Sequence, residues 1–186
     1  MSARPRRTCR ARRLLIAGLG LTALASTALA AGPAQADDAS VARDLAKAHA
    51  ATAKFAHEPL AVKAGFMKTD MCMSDPVLGG MGYHYVNPAN IGSTDPSRPA
   101  AVLYEDGEDG KRHLVAAEWV VLDVGRPAPV MFDRKFDGPN VIPGLGSTYD
   151  RHVWLYKKTP SGLFARYNPK VKCPVASPPA PVAPHP

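Results

Sequence analysis

Leu114-Val115-Ala116-Ala117-Glu118-Trp119-Val120-Val121-Leu122 carries a single charge, and it sits in the middle. The other eight residues are apolar, and the stretch reads as the heart of a strand from His113 to Val124. A period of two places Leu114, Ala116, Glu118, Val120 and Leu122 on one face. Val115, Ala117, Trp119 and Val121 take the other. Both faces are apolar, so Glu118 is expected to be substantially buried. A buried carboxylate is costly unless it is paired, hydrogen-bonded, protonated or bound to a metal.

Upstream, Glu105 to Gly110 holds Asp-Gly twice and joins this strand to another from Ala100 to Tyr104, a hairpin signal. Before it, Met81 to Val86 reads as a strand entered through Gly79-Gly80-Met81-Gly82 and closed by Asn87-Pro88. Asn87 to Pro99 is a polar, proline-punctuated loop. Downstream, Gly125 to Pro129 turns the chain into a strand at Val130-Met131-Phe132. Asp137 to Ser147 is rich in glycine and proline and reads as an irregular loop. Arg151 to Lys157 reads as a strand, Pro160-Ser161-Gly162 as a turn, and Leu163 to Tyr167 as the final strand.

Toward the N-terminus the period changes. Ser40 is a candidate helix cap, and Val41, Leu45, Ala48, Thr52 and Phe55 recur at helical spacing. Glu58-Pro59 breaks that helix and opens a short second one, which Gly65 stops. His49 and His57 read as solvated surface histidines. The fold class is therefore α+β, with N-terminal helices packed on a curved antiparallel sheet of five to six strands. No alternating βαβ rhythm supports a doubly wound nucleotide fold.

The ends differ in composition from the rest. Arg4, Arg6, Arg7, Arg10, Arg12 and Arg13 form a basic region, Leu14 to Ala31 is uncharged and apolar, and Ala34-Gln35-Ala36 is a small-x-small cleavage site. Residues 1–36 thus read as a cleaved export signal. Arg12-Arg13 before Leu14-Leu15-Ile16 leaves both the Sec and the twin-arginine route open. Residues 37–175 read as a single domain, and 176–186 as a Pro-rich disordered tail. The full chain has 23 Lys and Arg against 16 Asp and Glu; without residues 1–36, which hold six arginines and no acid, 17 bases face 16 acids. This balance argues against a nucleic-acid partner, and no stable membrane anchor remains after signal removal. Cys9 leaves with the signal. Cys72 and Cys173 remain, an even pair in an exported protein, and are expected to form a disulfide.

Three residues are polar in the middle of predicted strands: His84, Glu118 and His152. Two histidines and a carboxylate can hold a divalent metal such as zinc, iron or copper with positions left open. A second reading is a metal-free pocket for a small polar ligand, walled by Tyr83, Tyr85, Trp119, Trp154 and Tyr156. A third is structural, with Glu118 paired to Arg151, Arg166 or Lys157. The chain has no G-x-S-x-G elbow, phosphate loop or complete dinucleotide fingerprint.

Gly80-Met81-Gly82-Tyr83-His84-Tyr85-Val86-Asn87-Pro88, Leu103-Tyr104-Glu105 with Leu114 to Glu118, His152-Val153-Trp154, and Pro160-Ser161-Gly162-Leu163-Phe164-Ala165 with Tyr167-Asn168-Pro169 and Cys173 together carry a resemblance. From about Leu45 to Cys173 the chain resembles a family of uncharacterised secreted proteins of actinobacteria and related bacteria. It departs from that pattern at Thr159, where the family has Asn before the Pro. The resemblance implies a secreted single-domain protein and no particular reaction. The leading expectation is a secreted, disulfide-stapled binding domain whose ligand, a small molecule or metal, lies near His84, Glu118 and His152. The alternatives are a metal-dependent extracytoplasmic enzyme using the same three residues, and an interaction or inhibitor module presenting the Asp137–Ser147 loop.

Overall fold

The computed structural model describes residues 33–174, with side chains from Asp38 onward. The basic region, the apolar run and the Pro-rich tail lie outside the described residues. The Ala34-Gln35-Ala36 site falls in the first turns of a helix.

That helix, α1 (Pro33–Thr52), runs through a 3₁₀ turn at Ala53–Ala56 into a short α2 (Glu58–Lys63). The expected helix pair is thus one long helix and one of six residues. Ser40 lies inside α1 rather than capping it. The Ala-rich segment before it continues the helix back to Pro33, a residue suited to a first helical position. Ala48, Thr52 and Phe55 are buried, as their spacing requires, and His49 and His57 are exposed. Among the described residues no helix is long and apolar enough to cross a membrane.

Among the described residues eight strands follow: β1 (Cys72–Asp75), β2 (Gly79–Val86), β3 (Ala101–Asp106), β4 (Arg112–Leu122), β5 (Val130–Met131), β6 (Arg134–Lys135), β7 (Asp137–Ile142) and β8 (Gly146–Val153). Six form one antiparallel sheet in the order β1-β2-β3-β4-β8-β7, and β5 and β6 form a separate ribbon. The hairpin read around Glu105–Gly110 is β3–β4, the centre of the sheet.

Three strand assignments are corrected. Asp137 to Ser147 is not a loop but β7, its turn and the start of β8. Gly138 and Pro139 fall outside the β7–β8 register, so the proline needs no ladder hydrogen bond. Leu163 to Tyr167 is not a strand. Both edges of β8 are already taken, by β4 and β7, and this segment wraps over the sheet instead. Trp154 onward belongs to that wrap too, because β8 ends at Val153. The short edge strand β1 had no apolar alternation to reveal it.

Apolar side chains gather on both faces of the sheet. On the helix side, Phe55, Ala61 and Phe66 meet Tyr83, Tyr85, Val102, Tyr104 and Leu114, and Ala48 joins a neighbouring cluster around Trp119. On the other side, Met81, Ala101, Leu103, Val115 and Ala116 lie beneath Trp154 and Val171 from the C-terminal wrap. A bulge explains why Leu114 is not on the face with Glu118. Leu103 pairs Ala116 but Tyr104 pairs Leu114, so Val115 is extra and the alternation slips there. Gly82 is held at φ +95°, and a Cβ on it would stand 2.3 Å from the Tyr104 carbonyl oxygen. Only glycine fits where β2 crosses β3 at that point.

Tyr104 links the two layers. Its buried hydroxyl donates to the Phe55 carbonyl oxygen at 2.8 Å. Tyr104→Phe keeps the ring and leaves that carbonyl without its donor. A loss of about 1–2 kcal/mol in unfolding free energy is expected in urea titration, with an unchanged m-value. A change below a few tenths would mean that water replaces the hydroxyl.

Candidate metal centre

β2, β4 and β8 each supply one residue to the face opposite the helices. Glu118 on β4 pairs directly with His152 on β8, and on its other side with Ala101 on β3. His84 on β2 is one row along, opposite Leu103. Strand β3 separates β2 from β4, so His84 and Glu118 can meet only above it. The methyl side chain of Ala101 leaves that space. Nε2 of His84 lies 3.5 Å from Oε2 of Glu118, and Nε2 of His152 lies 3.5 Å from Oε1. The three donor atoms all fall within 4.8 Å of one another. Tetrahedral zinc places its ligand atoms about 3.3 Å apart, close to the two carboxylate–imidazole separations.

The site is dry. His152 is 1% and Glu118 5% exposed, and His84, with its side chain 18% exposed, stands nearest to solvent. Burial sets the protonation pattern. It pushes the imidazole of His84 down to about 3, helped by the charge of His152, so His84 is neutral and ready to donate a lone pair. Burial also drives the Glu118 carboxyl up to about 7, against the pull of His152. In His152 burial opposes the charged form, but the carboxylates of Glu118 and Asp150 outweigh it and raise the imidazole above its usual range. The Glu118–His152 pair therefore retains a proton where a cation would sit.

None of the basic partners anticipated for Glu118 reaches it. Lys157 binds both carboxylate oxygens of Glu105, at 2.5 and 2.6 Å. Arg151 binds Asp137 at 3.2 Å, and Arg166 lies 3.4 Å from Asp150. Among the described residues, the ion-pair contacts of Glu118 are the two histidines alone. Both ring nitrogens of His152 and Nδ1 of His84 are buried without a well-formed hydrogen bond, although the Gly82 backbone favours the charged form of His84. Nδ1 of His152 does face Oδ2 of Asp150 at 3.2 Å, but off the line of a well-formed hydrogen bond.

The expected aromatic wall is divided. Trp154 does lie on the site face, its indole N–H donating to the Ala165 carbonyl oxygen. Tyr83 and Tyr85 flank His84 in sequence and so point to the opposite, helix-covered face. There they donate to Asp106 and Glu58. Trp119 is on that face as well. Tyr156 is held by α1 through Thr52 and the His49 carbonyl. Two surface grooves, one along Arg134, Arg151 and Phe164 and one between Asp75 and Pro169, contain none of His84, Glu118 and His152.

Asp150 escaped the sequence reading. Its signal was present, since it is a second polar residue two positions before His152 and thus on the same face. The disulfide between Cys72 and Cys173 is formed. No protein-family model, curated protein or solved structure matches the chain.

Proposed function

We propose that this chain is an exported metal-binding domain that holds one divalent cation, such as zinc, iron or copper, through His84, Glu118 and His152. One observation carries the reading. A buried carboxylate lies 3.5 Å from Nε2 of each of two imidazoles, while the nearby lysine and arginines are committed to other acids. Such a carboxylate finds compensation in a cation. Two imidazoles and one carboxylate form a borderline donor set that suits zinc. The burial of the site favours retention of an ion over turnover of a substrate, because catalytic metals keep an accessible position. Export is supported by the N-terminal signal pattern and by the disulfide.

The test is the metal content of residues 37–186, recovered from the medium of an exporting host without chelator or nickel resin. Close to one ion per chain is expected, and its absence from His152→Ala. Metal-free wild-type protein that also takes up no added zinc, copper or ferrous iron overturns the reading.

Affinity should also depend on pH in a set direction. Glu118 and His152 are both raised, so they hold protons to higher pH than free side chains do, and a metal must displace them. His84 is lowered and offers no such competition near neutrality. Zinc affinity is therefore expected to fall as pH drops below about 7, by about tenfold per unit for each proton displaced. Competition titrations at pH 6, 7 and 8 measure the slope. A flat profile from pH 7 to 6 would contradict this proton assignment.

A further inference from the structure

We propose that Asp150 is the positioning residue of this centre. It holds the Nδ1–H of His152 so that Nε2 is presented as the ligand atom, and Asn140 and Arg166 hold Asp150 in turn. The proposal rests on the metal reading above.

A neutral imidazole has one N–H and one lone pair, and the partner of the N–H decides which nitrogen is free to bind. Oδ2 of Asp150 is 3.2 Å from Nδ1, and Oε1 of Glu118 is 3.5 Å from Nε2. The two carboxylates thus stand at opposite nitrogens of one ring. Oδ2 of Asp150 has no other hydrogen-bond partner. Oδ1 is fully engaged: it accepts from Asn140 Nδ2 and lies 3.4 Å from Arg166 Nη2. Arg166 Nη1 also donates to Asn140 Oδ1 at 2.8 Å, which closes a ring of three side chains. The carboxylate is therefore fixed by one oxygen and offers the other to His152.

The fold places each part. Asp150 and His152 share a face of β8 by period two. The two residues left out of register in β7 set Asn140 beside Thr148, and its backbone is pinned by the Thr148 hydroxyl at 3.1 Å. Arg166 comes from the C-terminal wrap. An ion pair serving stability alone would need Asp150 and Arg166 and would have no use for the free oxygen aimed at a ligand histidine.

The experiment compares wild type, Asp150→Ala, Asp150→Asn and Asn140→Ala as zinc-loaded proteins. Zinc affinity comes from chelator competition. The His152 tautomer comes from long-range 1H–15N correlations on protein labelled at histidine. Wild type is expected to show Nδ1 protonated and Nε2 metal-bound. Asp150→Ala should weaken zinc by about 10–100-fold and lose that single tautomer. Asp150→Asn keeps an acceptor oxygen and should recover part of the affinity. Asn140→Ala should fall between them. If Asp150→Ala does not fold, Asp150→Asn and Asn140→Ala carry the comparison. Unchanged affinity and tautomer in the folded variants overturn the role of Asp150 alone. A wild type that binds no zinc overturns the metal reading itself.

Discussion

Glu118→Gln is expected to abolish the proposed metal binding while the metal-free protein keeps nearly its full stability. The amide is the same size as the carboxylate but is a poor ligand without charge. Structural zinc sites bind with about 10–16 kcal/mol shared among four ligands, so each ligand carries about 3–4 kcal/mol, on the order of 10²–10³ in affinity. The stability side follows from what the substitution leaves behind. Removing one partner of a buried ion pair is destabilising because it strands the other charge. Here no lysine or arginine is stranded, and His152 retains Asp150. A change within about 1 kcal/mol in metal-free protein is expected. Zinc at a thousand times its dissociation constant stabilises wild type by about 4 kcal/mol, and that gain should vanish in the variant. Glu105→Gln is the contrasting control, because it strands half-buried Lys157 and should lower stability with no effect on zinc. If Glu118→Gln instead costs more than about 3 kcal/mol without metal, Glu118 is a structural residue and the metal assignment fails.

The fold was legible where a local pattern carried it. Val41, Leu45, Ala48, Thr52 and Phe55 marked a helix by their spacing, and Asp106-Gly107 with Asp109-Gly110 marked the β3–β4 turn. Ser40 misled because good helix formers precede it. Leu163 to Tyr167 has the composition of a strand, but strand formation depends on a free edge, and β8 had none left. Asp137–Ile142 shows the reverse, since a segment with Gly138 and Pro139 forms an edge strand by leaving both outside the ladder. No local rule reports which edges a sheet has open.

The site was legible for a different reason. His84, Glu118 and His152 each interrupt an apolar strand, and burial of a polar side chain asks for a partner wherever it occurs. Sequence could not say which partner. Lys157, Arg151 and Arg166 were all open as partners until the fold gave each to another acid. Nor could it give the short Ala101 side chain its meaning, which depends on β3 lying between His84 and Glu118. Tyr83, Tyr85 and Trp119 fall on the other face through plain alternation, because the neighbours of an inward-facing residue face the other way.

The disulfide carries the second large expected effect. Cys72 and Cys173 are 101 residues apart, so their bond closes a loop that spans the whole sheet. In the chain-entropy model a loop of this length constrains the unfolded chain by about 4.7 kcal/mol, and native disulfides of exported domains contribute about 2–5 kcal/mol. The double variant Cys72→Ala, Cys173→Ala should lose that amount in urea titration. The effect should lie in the unfolded state rather than at the metal. The C-terminal wrap that carries Arg166 has other attachments: Gly80 N–H donates to the Asn168 carbonyl oxygen at 3.1 Å, Asn168 N–H returns to Gly80 O at 2.9 Å, and Val171 is buried. Asn168 thus keeps the wrap in place two residues beyond Arg166. At temperatures where the double variant is folded, its zinc affinity should remain within about threefold of wild type. A hundredfold fall in affinity would mean that the staple itself positions Arg166 and, through it, Asp150 and His152. Unchanged stability would mean that the unfolded chain is already compact enough for the cross-link to remove little entropy.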